Sequence, residues 1–275
     1  MAITAQDVKR LREATGVGMM DCKKALTEAD GDFDTAVEIL RKKGQKVAAK
    51  RADRDATEGV IATATTDDGA TAAMVEVNCE TDFVARNDDF TGFAQSIADL
   101  ALDVRAADRD ALLAAELGGQ TVAEAITEKT GQIGEKIDVR RVAVVTADGG
   151  RVVDYIHPGA KLGVLAVMAG DGELAEAGRD VAMQAAAMNP VAATRADVPQ
   201  DVQDKEREIG REQARAEGKP EQILDKIAEG KLNRYFKDNV LVEQPFVKDS
   251  SMTVQKMLES KGAELVRFVR FALGG

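Results

Sequence analysis

Apolar residues recur at helical spacings through the first 50 residues, and glycines interrupt the pattern. Thr4 is followed three residues later by Asp7, a spacing typical of a capping box at the start of a helix. Val8 and Leu11 then place one apolar stripe on that helix. The pattern therefore predicts a first helix with a single buried face.

Two further helices are predicted before the pattern changes. Gly16 and Gly18 break the chain, and we expect a short second helix over residues 20–29. Asp32 is typical of an N-cap for a third helix, which we expect to end at Gly44. So small a three-helix unit resembles a domain of the ubiquitin-associated type.

From residue 59 the hydrophobic pattern is that of strands followed by a helix. Residues 59–65 and 72–79 predict two strands, joined by a turn at residues 67–69. Residues 89–104 carry apolar side chains at helical spacing and predict a helix. This order of elements is typical of a small α+β unit.

A similar group of strands and a helix returns later in the chain. The strands are expected at residues 141–146, 151–156 and 162–168, with the first turn at residues 148–150. Residues 173–188 predict the helix, which stops before an Asn-Pro pair. Strands and then a helix, occurring twice, predict two related α+β subdomains.

Charged helical segments follow the second group. Residues 202–216 and 221–236 flank a bend at residues 218–220 and predict a helical hairpin. Its thin apolar seam is expected to consist of Ile209, Ile223, Leu224, Ile227 and Leu232. A last helix at residues 253–261 and a closing strand at residues 264–273 complete the prediction.

We therefore predict an α+β protein with four parts. An N-terminal three-helix ubiquitin-associated-like domain precedes two related α+β core subdomains, and a helical hairpin is inserted in the second. The predicted bounds are 1–54 for the three-helix domain, 55–140 for the N-terminal core subdomain, 141–200 with 240–275 for the C-terminal core subdomain, and 201–239 for the coiled-coil or dimerisation-type hairpin.

Composition and charge exclude several classes of protein. The 275 residues include 48 acidic and 37 basic side chains, a net charge of −11, which is the wrong sign for a protein that relies on phosphate contacts. The longest apolar run, residues 164–169, is far shorter than the roughly 20 residues that span a bilayer. The start MAITAQDVKR lacks the apolar core of a signal peptide. We expect a cytoplasmic protein without direct nucleic-acid or membrane contact.

One stretch, residues 41–54, is strongly basic although the net charge of the whole chain is negative. Such a stretch is more typical of a solvated face that balances acidic neighbours. An RNA contact is the alternative, and the sequence leaves it open.

Candidate catalytic groups are scarce. His157 is the sole histidine, and no Ser or Cys stands near it in a recognisable nucleophile setting. Cys22 and Cys79 are too few for a disulfide framework and lack the spacing of metal ligands. The sequence also lacks a glycine-rich phosphate loop. We therefore expect no cofactor, no metal site and no covalent catalysis.

Two segments have the character of contact surfaces. Met19 and Met20 follow the paired glycines, and flexible thioethers suit adaptable recognition. The alternative is that they fill the small core, although we expect at most one of two adjacent side chains to be fully inward. Phe83 lies in a polar segment that follows a strand, and composition alone favours a core position for it.

Four segments are similar, in order and spacing, to the bacterial elongation factor Ts family. They are LREATGVGMMDCKKAL at 11–26, VNCETDFVARN at 77–87, IGEKIDVRRV at 133–142 and YIHPGAKLGVLAV at 155–167. The resemblance covers nearly the whole chain, and the TDFV and GMMDCKKAL motifs are specific to that family. It implies a guanine nucleotide exchange factor that binds elongation factor Tu with GDP and promotes GDP release during translation elongation.

The resemblance also implies the residues that contact the partner. Phe83 would wedge between partner side chains, and Asp82 would disturb the structure that holds Mg²⁺ in the GTPase. The whole Mg²⁺-displacing segment consists of Thr81, Asp82, Phe83 and Val84. The other implied contacts are Arg12, Met19, Met20, Lys23, Ile133, Gly134 and His157.

Two other functions stay open from the sequence. The first is a non-catalytic adaptor that binds through the N-terminal bundle, and the second is an enzyme that uses His157, supported only by that residue being singular. Longer members of the family continue past the last strand with a helical module that touches the partner. The contact made by the C-terminal end, and a homodimer or 2:2 complex, therefore also stay open.

Overall fold

The first three helices of the computed structural model, which describes residues 3–274, form the predicted small bundle. Helix α1 covers Ala5–Thr15, α2 covers Met19–Glu28 and α3 covers Phe33–Arg51. Thr4 and Asp7 form the predicted capping box at the start of α1. The bundle core consists of Val8, Leu11, Cys22, Ala25, Leu26, Ala29, Ala36 and Leu40.

The first sheet and its helices follow the bundle. In chain order the elements are β1 (Glu58–Thr65), β2 (Thr71–Cys79), α4 (Asp82–Ala85), α5 (Asp88–Asp103), α6 (Arg109–Ala114), β3 (Glu116–Leu117), β4 (Gln120–Thr121), α7 (Val122–Ile133) and β5 (Asp138–Thr146). Three of the strands form an antiparallel sheet in the order β1-β2-β5. Helix α5 covers one face of this sheet, where Phe90 packs with Val75 and Val77.

The prediction that residues 141–146 open the second subdomain is wrong. Strand β5 begins at Asp138 and pairs with β2, so that Val142 lies opposite Val75. Gly149, with a φ of +69°, therefore turns the chain from the first sheet to the second instead of closing a hairpin. The turn residues indicate that the chain reverses, but they carry no information about a partner strand that is distant in sequence.

The second sheet contains the remaining long strands. In chain order the elements are β6 (Arg151–Ile156), β7 (Leu162–Gly170), α8 (Leu174–Met188), α9 (Gln200–Ala216), α10 (Leu224–Asn239), β8 (Pro245–Phe246), β9 (Asp249–Thr253), α11 (Val254–Ser260) and β10 (Ala263–Ala272). The antiparallel order is β10-β7-β6. Helix α8 covers its outer face closely, because a Cβ on Gly178 would lie 2.5 Å from Cγ2 of Val153.

The two sheets face each other across one apolar layer. Its buried members include Ile61, Ala72, Met74, Val145, Leu165, Val167 and Phe271. Gly163 of β7 lies in the tightest part, where a Cβ would meet Cγ2 of Ile61 at 2.7 Å and Sδ of Met74 at 2.9 Å. Two three-stranded sheets, each covered by a helix on its outer face, confirm the predicted α+β class.

Helices α9 and α10 form the predicted hairpin. A Cβ on Gly210 would lie 3.0 Å from Cα of Ala228, so the two backbones approach closely. Leu224 and Leu232 are buried as predicted, but Ile223 is 41% exposed. The seam is therefore built from the two predicted leucines and from small buried side chains such as Ala214 and Ala228, while Ile209 and Ile227 are half-buried.

The prediction that α3 ends at Gly44 is also wrong. The helix continues to Arg51, and Gly44 is buried within it against Gly131 of α7. A glycine inside a helix costs about 1 kcal/mol relative to alanine, which is why it is often interpreted as a helix end. Here the absence of a side chain allows two helices to touch.

The basic stretch lies mostly on α3 and pairs with acidic groups. Its ion pairs include Arg41–Glu124 at 3.7 Å, Lys43–Asp21 at 2.5 Å and Arg51–Glu80 at 2.7 Å. These pairs agree with the interpretation of the stretch as a face that balances acidic neighbours. Two of them, Arg41–Glu124 and Arg51–Glu80, also connect the bundle to the rest of the molecule.

Candidate partner-binding surfaces

Phe83 lies on the molecular surface at the end of β2. Helix α4 is a single turn, and the Thr81 hydroxyl accepts a hydrogen bond from the N–H of Val84 at its start. Ala85 is buried and Val84 is half-buried, so the turn is anchored through them, whereas Phe83 points outward and is 85% exposed. The interpretation of Phe83 as a core residue is therefore wrong. Thr81, Asp82, Phe83 and Val84 are called the Phe83 tip below.

Glu135, a residue that the sequence analysis missed, holds the Phe83 tip in place. Its carboxylate accepts hydrogen bonds from the Thr81 hydroxyl at 2.7 Å, the Thr81 N–H at 3.0 Å and the Glu80 N–H at 3.2 Å. Gly134, at a φ of +80°, ends α7 and turns the chain immediately before Glu135. Glu135 lies within the IGEKIDVRRV segment, directly after Gly134, but the sequence assigned no contact to it.

Glu80 joins the Phe83 tip to the end of α3. One carboxylate oxygen of Glu80 accepts hydrogen bonds from the Lys136 N–H and from Nη1 of Arg51, both at 2.7 Å. The Lys136 hydrogen bond is the main cause of a lowered pKa for Glu80, and Arg51 contributes to it. Nζ of Lys136 donates to the carbonyl oxygens of Ala52 and Arg54. These contacts fix the tip, the end of α7 and the end of α3 together.

Asp82 presents a carboxylate beside the exposed ring. Its Oδ2 lies 2.9 Å from Nη2 of Arg86, and the Asp82 side chain is 40% exposed. An exposed ion pair of this kind contributes about 0–1 kcal/mol. Because Arg86 holds it so weakly, the carboxylate can exchange this partner for another group.

A cleft of about 680 Å³ lies between the Phe83 tip, the end of α1 and the end of α7. Its lining includes Thr15, Gly16, Thr81, Phe83, Val84, Lys129, Gln132 and Ile133. The cleft therefore brings Ile133 next to three of the four tip residues. Arg12, Met19, Met20, Lys23 and His157 lie outside this lining.

Met19 and Met20 occupy the exposed start of α2. Gly16, at a φ of +67°, ends α1, and Gly18 is the N-cap of α2. Both methionines point outward, at 56% and 65% exposed, so the core-filling interpretation is wrong. Cys22 supplies the buried side chain of this turn instead. The methionine surface, as it is called below, consists of Arg12, Met19, Met20 and Lys23, all exposed.

His157 lies in the exposed turn between β6 and β7. Its Nδ1 is 2.9 Å from the Tyr155 hydroxyl. The turn rests on the first sheet, because the carbonyl oxygen of Ala160 accepts a hydrogen bond from the Ile61 N–H at 2.7 Å. Lys161 also pairs with Glu58 at 2.6 Å. Glu58 lies opposite Cys79, so His157 sits at the same end of the first sheet as the Phe83 tip.

Residues 3–274 hold no cluster of metal-ligating side chains and no disulfide. That part of the chain contains no group of three or more His, Cys, Asp or Glu side chains that could hold a metal ion. Cys22 and Cys79 are both free and buried. Burial, with a smaller contribution from the charge of Glu135, raises the pKa of Cys79 to about 12, so its thiol stays protonated at neutral pH. Over the same residues, no helix combines the length and apolar character needed to cross a bilayer.

The chain is similar to known translation factors over its whole length. A family model described as elongation factor TS matches residues 80–275. The elongation factor Ts of Prosthecochloris aestuarii is 50% identical over 284 aligned residues, which cover 99% of both chains. The elongation factor Ts of Christiangramia forsetii is 50% identical over 275 residues, and that of Kineococcus radiotolerans is 49% identical over 278, again with 99% of each chain covered.

These matches agree with the resemblance carried by the four sequence segments. The family model covers more than half of the chain, and the relatives align with it from end to end. Their shared name identifies them as factors of the elongation stage of protein synthesis. The chain therefore belongs to the elongation factor Ts family of bacterial translation elongation factors.

Proposed function

We propose that this protein is a guanine nucleotide exchange factor that binds elongation factor Tu carrying GDP and promotes release of the GDP. GTP can then bind the emptied site during translation elongation. Family membership supports the choice of partner. In this proposal the protein makes and breaks no covalent bond.

The exposure of Phe83 is the observation that carries the proposal. A phenylalanine ring that is 85% exposed gains nothing from folding, but burying it in a partner is worth about 1.5–3 kcal/mol. The three hydrogen bonds to Glu135 hold the segment before Phe83 in one conformation. Little conformational entropy is therefore lost when the ring binds.

The proposed mechanism acts on the magnesium and phosphate site of the partner. Phe83 inserts between partner side chains, and the adjacent Asp82 carboxylate disturbs the structure that holds Mg²⁺. The metal bridges and neutralises the phosphate oxygens of a bound nucleotide, so its displacement weakens many contacts together. Thr81 and Val84 anchor the tip while it does so. By linkage, GDP weakens binding of the factor by the same ratio.

A second contact is needed for a large acceleration. Burial of one ring at about 1.5–3 kcal/mol corresponds to roughly a ten- to hundredfold effect. In the proposal the methionine surface provides the further binding, because Met19 and Met20 are apolar, exposed and adaptable. Ile133, Gly134 and His157 are proposed as further contacts near the same end of the core.

Release of a fluorescent GDP from elongation factor Tu, followed by stopped flow, tests the proposal. Catalytic amounts of the wild-type protein should accelerate release. The double variant Phe83→Ala with Asp82→Ala should fold normally and lose most of the acceleration. Normal acceleration by the folded double variant would show that the assigned mechanism is wrong.

The same measurement tests the adaptor alternative. An adaptor that binds through the N-terminal bundle would form a complex with elongation factor Tu and leave the GDP dissociation rate unchanged. The position of the exposed Phe83 beyond the bundle, after β2, favours exchange over this alternative. An unchanged GDP dissociation rate in a demonstrated complex would reverse that preference.

A further inference from the structure

Both proposed contact surfaces are positioned by one helix, α7. The methionine surface lies on the bundle, whose longest helix, α3, packs along α7. The Phe83 tip is held by Glu135, which follows directly after Gly134, the C-cap of α7. The contact between α3 and α7 therefore determines how far apart the two surfaces lie.

Gly44 and Gly131 bring the backbones of α3 and α7 into direct contact. A Cβ on Gly131 would lie only 2.4 Å from Cα of Gly44 and 3.2 Å from its carbonyl carbon. Carbon atoms in contact normally lie about 3.5–4.0 Å apart, so a methyl group at this position must separate the helices by about 1 Å or more. A Cβ on Gly44 would lie 3.4 Å from Cα of Gly131, an ordinary contact. A single added methyl group therefore fits at Gly44 but not at Gly131.

Polar contacts also connect the two helices on either side of this crossing. Arg41 of α3 pairs with Glu124 in the first turn of α7 at 3.7 Å. Beyond the other end, Nζ of Lys136 donates to the carbonyl oxygens of Ala52 and Arg54. The glycine contact lies between these two attachments, so α3 is held along α7 at three points.

We propose that the Gly44–Gly131 contact is the positioning element that sets the separation of the methionine surface and the Phe83 tip, so that both bind one partner molecule at once. The inference rests on the proposed exchange function and adds the geometric condition for it. Two surfaces on a rigid frame act at a high effective concentration, which is lost when their separation no longer matches the partner. Neither glycine needs to touch the partner.

Three alanine variants separate this role from a general effect of alanine in a helix. Gly131→Ala forces the helices apart, whereas Gly44→Ala places its methyl group at an ordinary contact distance. Gly92→Ala, on α5, meets no other atom within 4 Å and is the matched control. If circular dichroism shows that G131A does not fold, Gly44→Val pushes on the same contact from the other helix and replaces it.

The first measurement needs no partner. Nitroxide labels at Lys24→Cys on α2 and at either Asp88→Cys or Asp103→Cys on α5 occupy exposed positions, and both native cysteines are buried. Electron–electron distances should shift or broaden in G131A for at least one label pair, and should match wild type in G44A and G92A. Unchanged distances in both pairs of a folded G131A protein would overturn the proposal.

The second measurement is GDP release as a function of elongation factor Tu concentration. G131A should bind about tenfold or more weakly, because the surfaces no longer engage together. At saturation its release rate should stay within about threefold of wild type, since the Phe83 tip itself is intact. Wild-type affinity in G131A would contradict the inference.

A double-mutant cycle decides whether Gly131 acts through the methionine surface. Replacement of Met19 and Met20 by alanine should weaken binding about tenfold in the wild-type background and less than twofold in G131A. The same loss in both backgrounds would overturn the inference. A wild-type protein that leaves GDP release unchanged overturns the proposed function instead, and the label distances still report whether Gly131 sets the geometry.

Discussion

At the residue scale, local backbone geometry accounts for the outward position of the apolar side chains of the two surfaces. Phe83 is turned outward because its neighbours Val84 and Ala85 anchor a single helical turn. Met19 and Met20 point outward because Cys22 fills the bundle core below them. The smaller side chains of Val84 and Ala85 face the core, and this leaves the ring of Phe83 exposed.

Such exposure could be predicted only in part from the sequence. Composition alone favours a core position for Phe83, and only the resemblance to the family implies that its ring is a contact residue. Glu135 could not be identified, because it lies 54 positions from Thr81 in the chain and the two meet only in the folded protein. The methionine pair is a contact candidate from the sequence because flexible thioethers follow the paired glycines, and at most one of two adjacent side chains is expected to be fully inward.

Glu135→Ala should slow catalysed GDP release without unfolding the protein. The substitution leaves the Thr81 hydroxyl and two backbone N–H groups without their acceptor, a local cost of about 1–3 kcal/mol. The tip then samples several conformations, and we expect the saturated rate to fall about tenfold. Glu116→Ala, at an exposed position in β3, is the control. A wild-type rate in E135A would show that the tip needs no support from Glu135.

At the element scale, most helices and strands followed from local periodicity, and the errors came from contacts between distant segments. The bounds of α2, β1, β2 and β6 lie within two residues of the predictions. Gly44 was misassigned as a helix end because its partner, Gly131, lies 87 positions away. The strand β5 was placed in the wrong sheet for the same reason, since its pairing with β2 is remote in sequence.

Helix α8 is attached to the segments near β9 and β10 by one carboxylate, and this attachment should depend on pH. Asp180 is 6% exposed and lies 2.6 Å from Nζ of Lys248 and 3.0 Å from Nζ of Lys261. Burial alone would raise the pKa of Asp180, but the hydrogen bonds and charges of the two lysines outweigh it and lower the pKa below its usual 3.8. The stabilisation is therefore complete above the unfolded-state pKa and is lost as pH falls through the folded-state pKa.

Asp180→Asn should lower the free energy of unfolding by about 1–3 kcal/mol at pH 7, because a neutral amide replaces an acceptor of two charged hydrogen bonds. The difference from wild type should shrink as pH falls below the unfolded-state pKa of about 3.8 towards the lower folded-state pKa of Asp180. Urea denaturation between pH 3 and 7 measures both effects. Asp103→Asn, at the exposed end of α5, is the control. A difference that is constant across this range would contradict the prediction.

At the scale of the whole molecule, the layer between the two sheets joins the halves of the core. Gly163 of β7 meets side chains from both sheets, including Ile61 and Met74 from the first. The frame that carries the Phe83 tip and the His157 turn therefore depends on this layer. Its strands could be predicted from the sequence, but which strands face each other could not.

Gly163→Ala should destabilise the whole core. The added methyl group would lie 2.7 Å from Cγ2 of Ile61 and 2.9 Å from both Cδ1 of Ile156 and Sδ of Met74, and overpacking of this kind costs about 1–3 kcal/mol. Thermal unfolding measured by circular dichroism should show a lower midpoint. Gly92→Ala, which adds a methyl group in open space on a helix, should leave the midpoint unchanged or raise it slightly. Equal midpoints for the two variants would contradict the prediction.

Because the ring of Phe83 is exposed to solvent in the free protein, its replacement should not change the amount of folded protein that an expression assay measures. Cells that carry a Phe83→Ala substitution should accumulate normal amounts of a protein with wild-type stability, since the folded state loses few packed atoms. A substitution at Phe83 should therefore be detected only as slow growth or slow polypeptide synthesis. Deep mutational scans scored by expression would therefore label it a tolerant site, and only selection on protein synthesis itself would detect its cost.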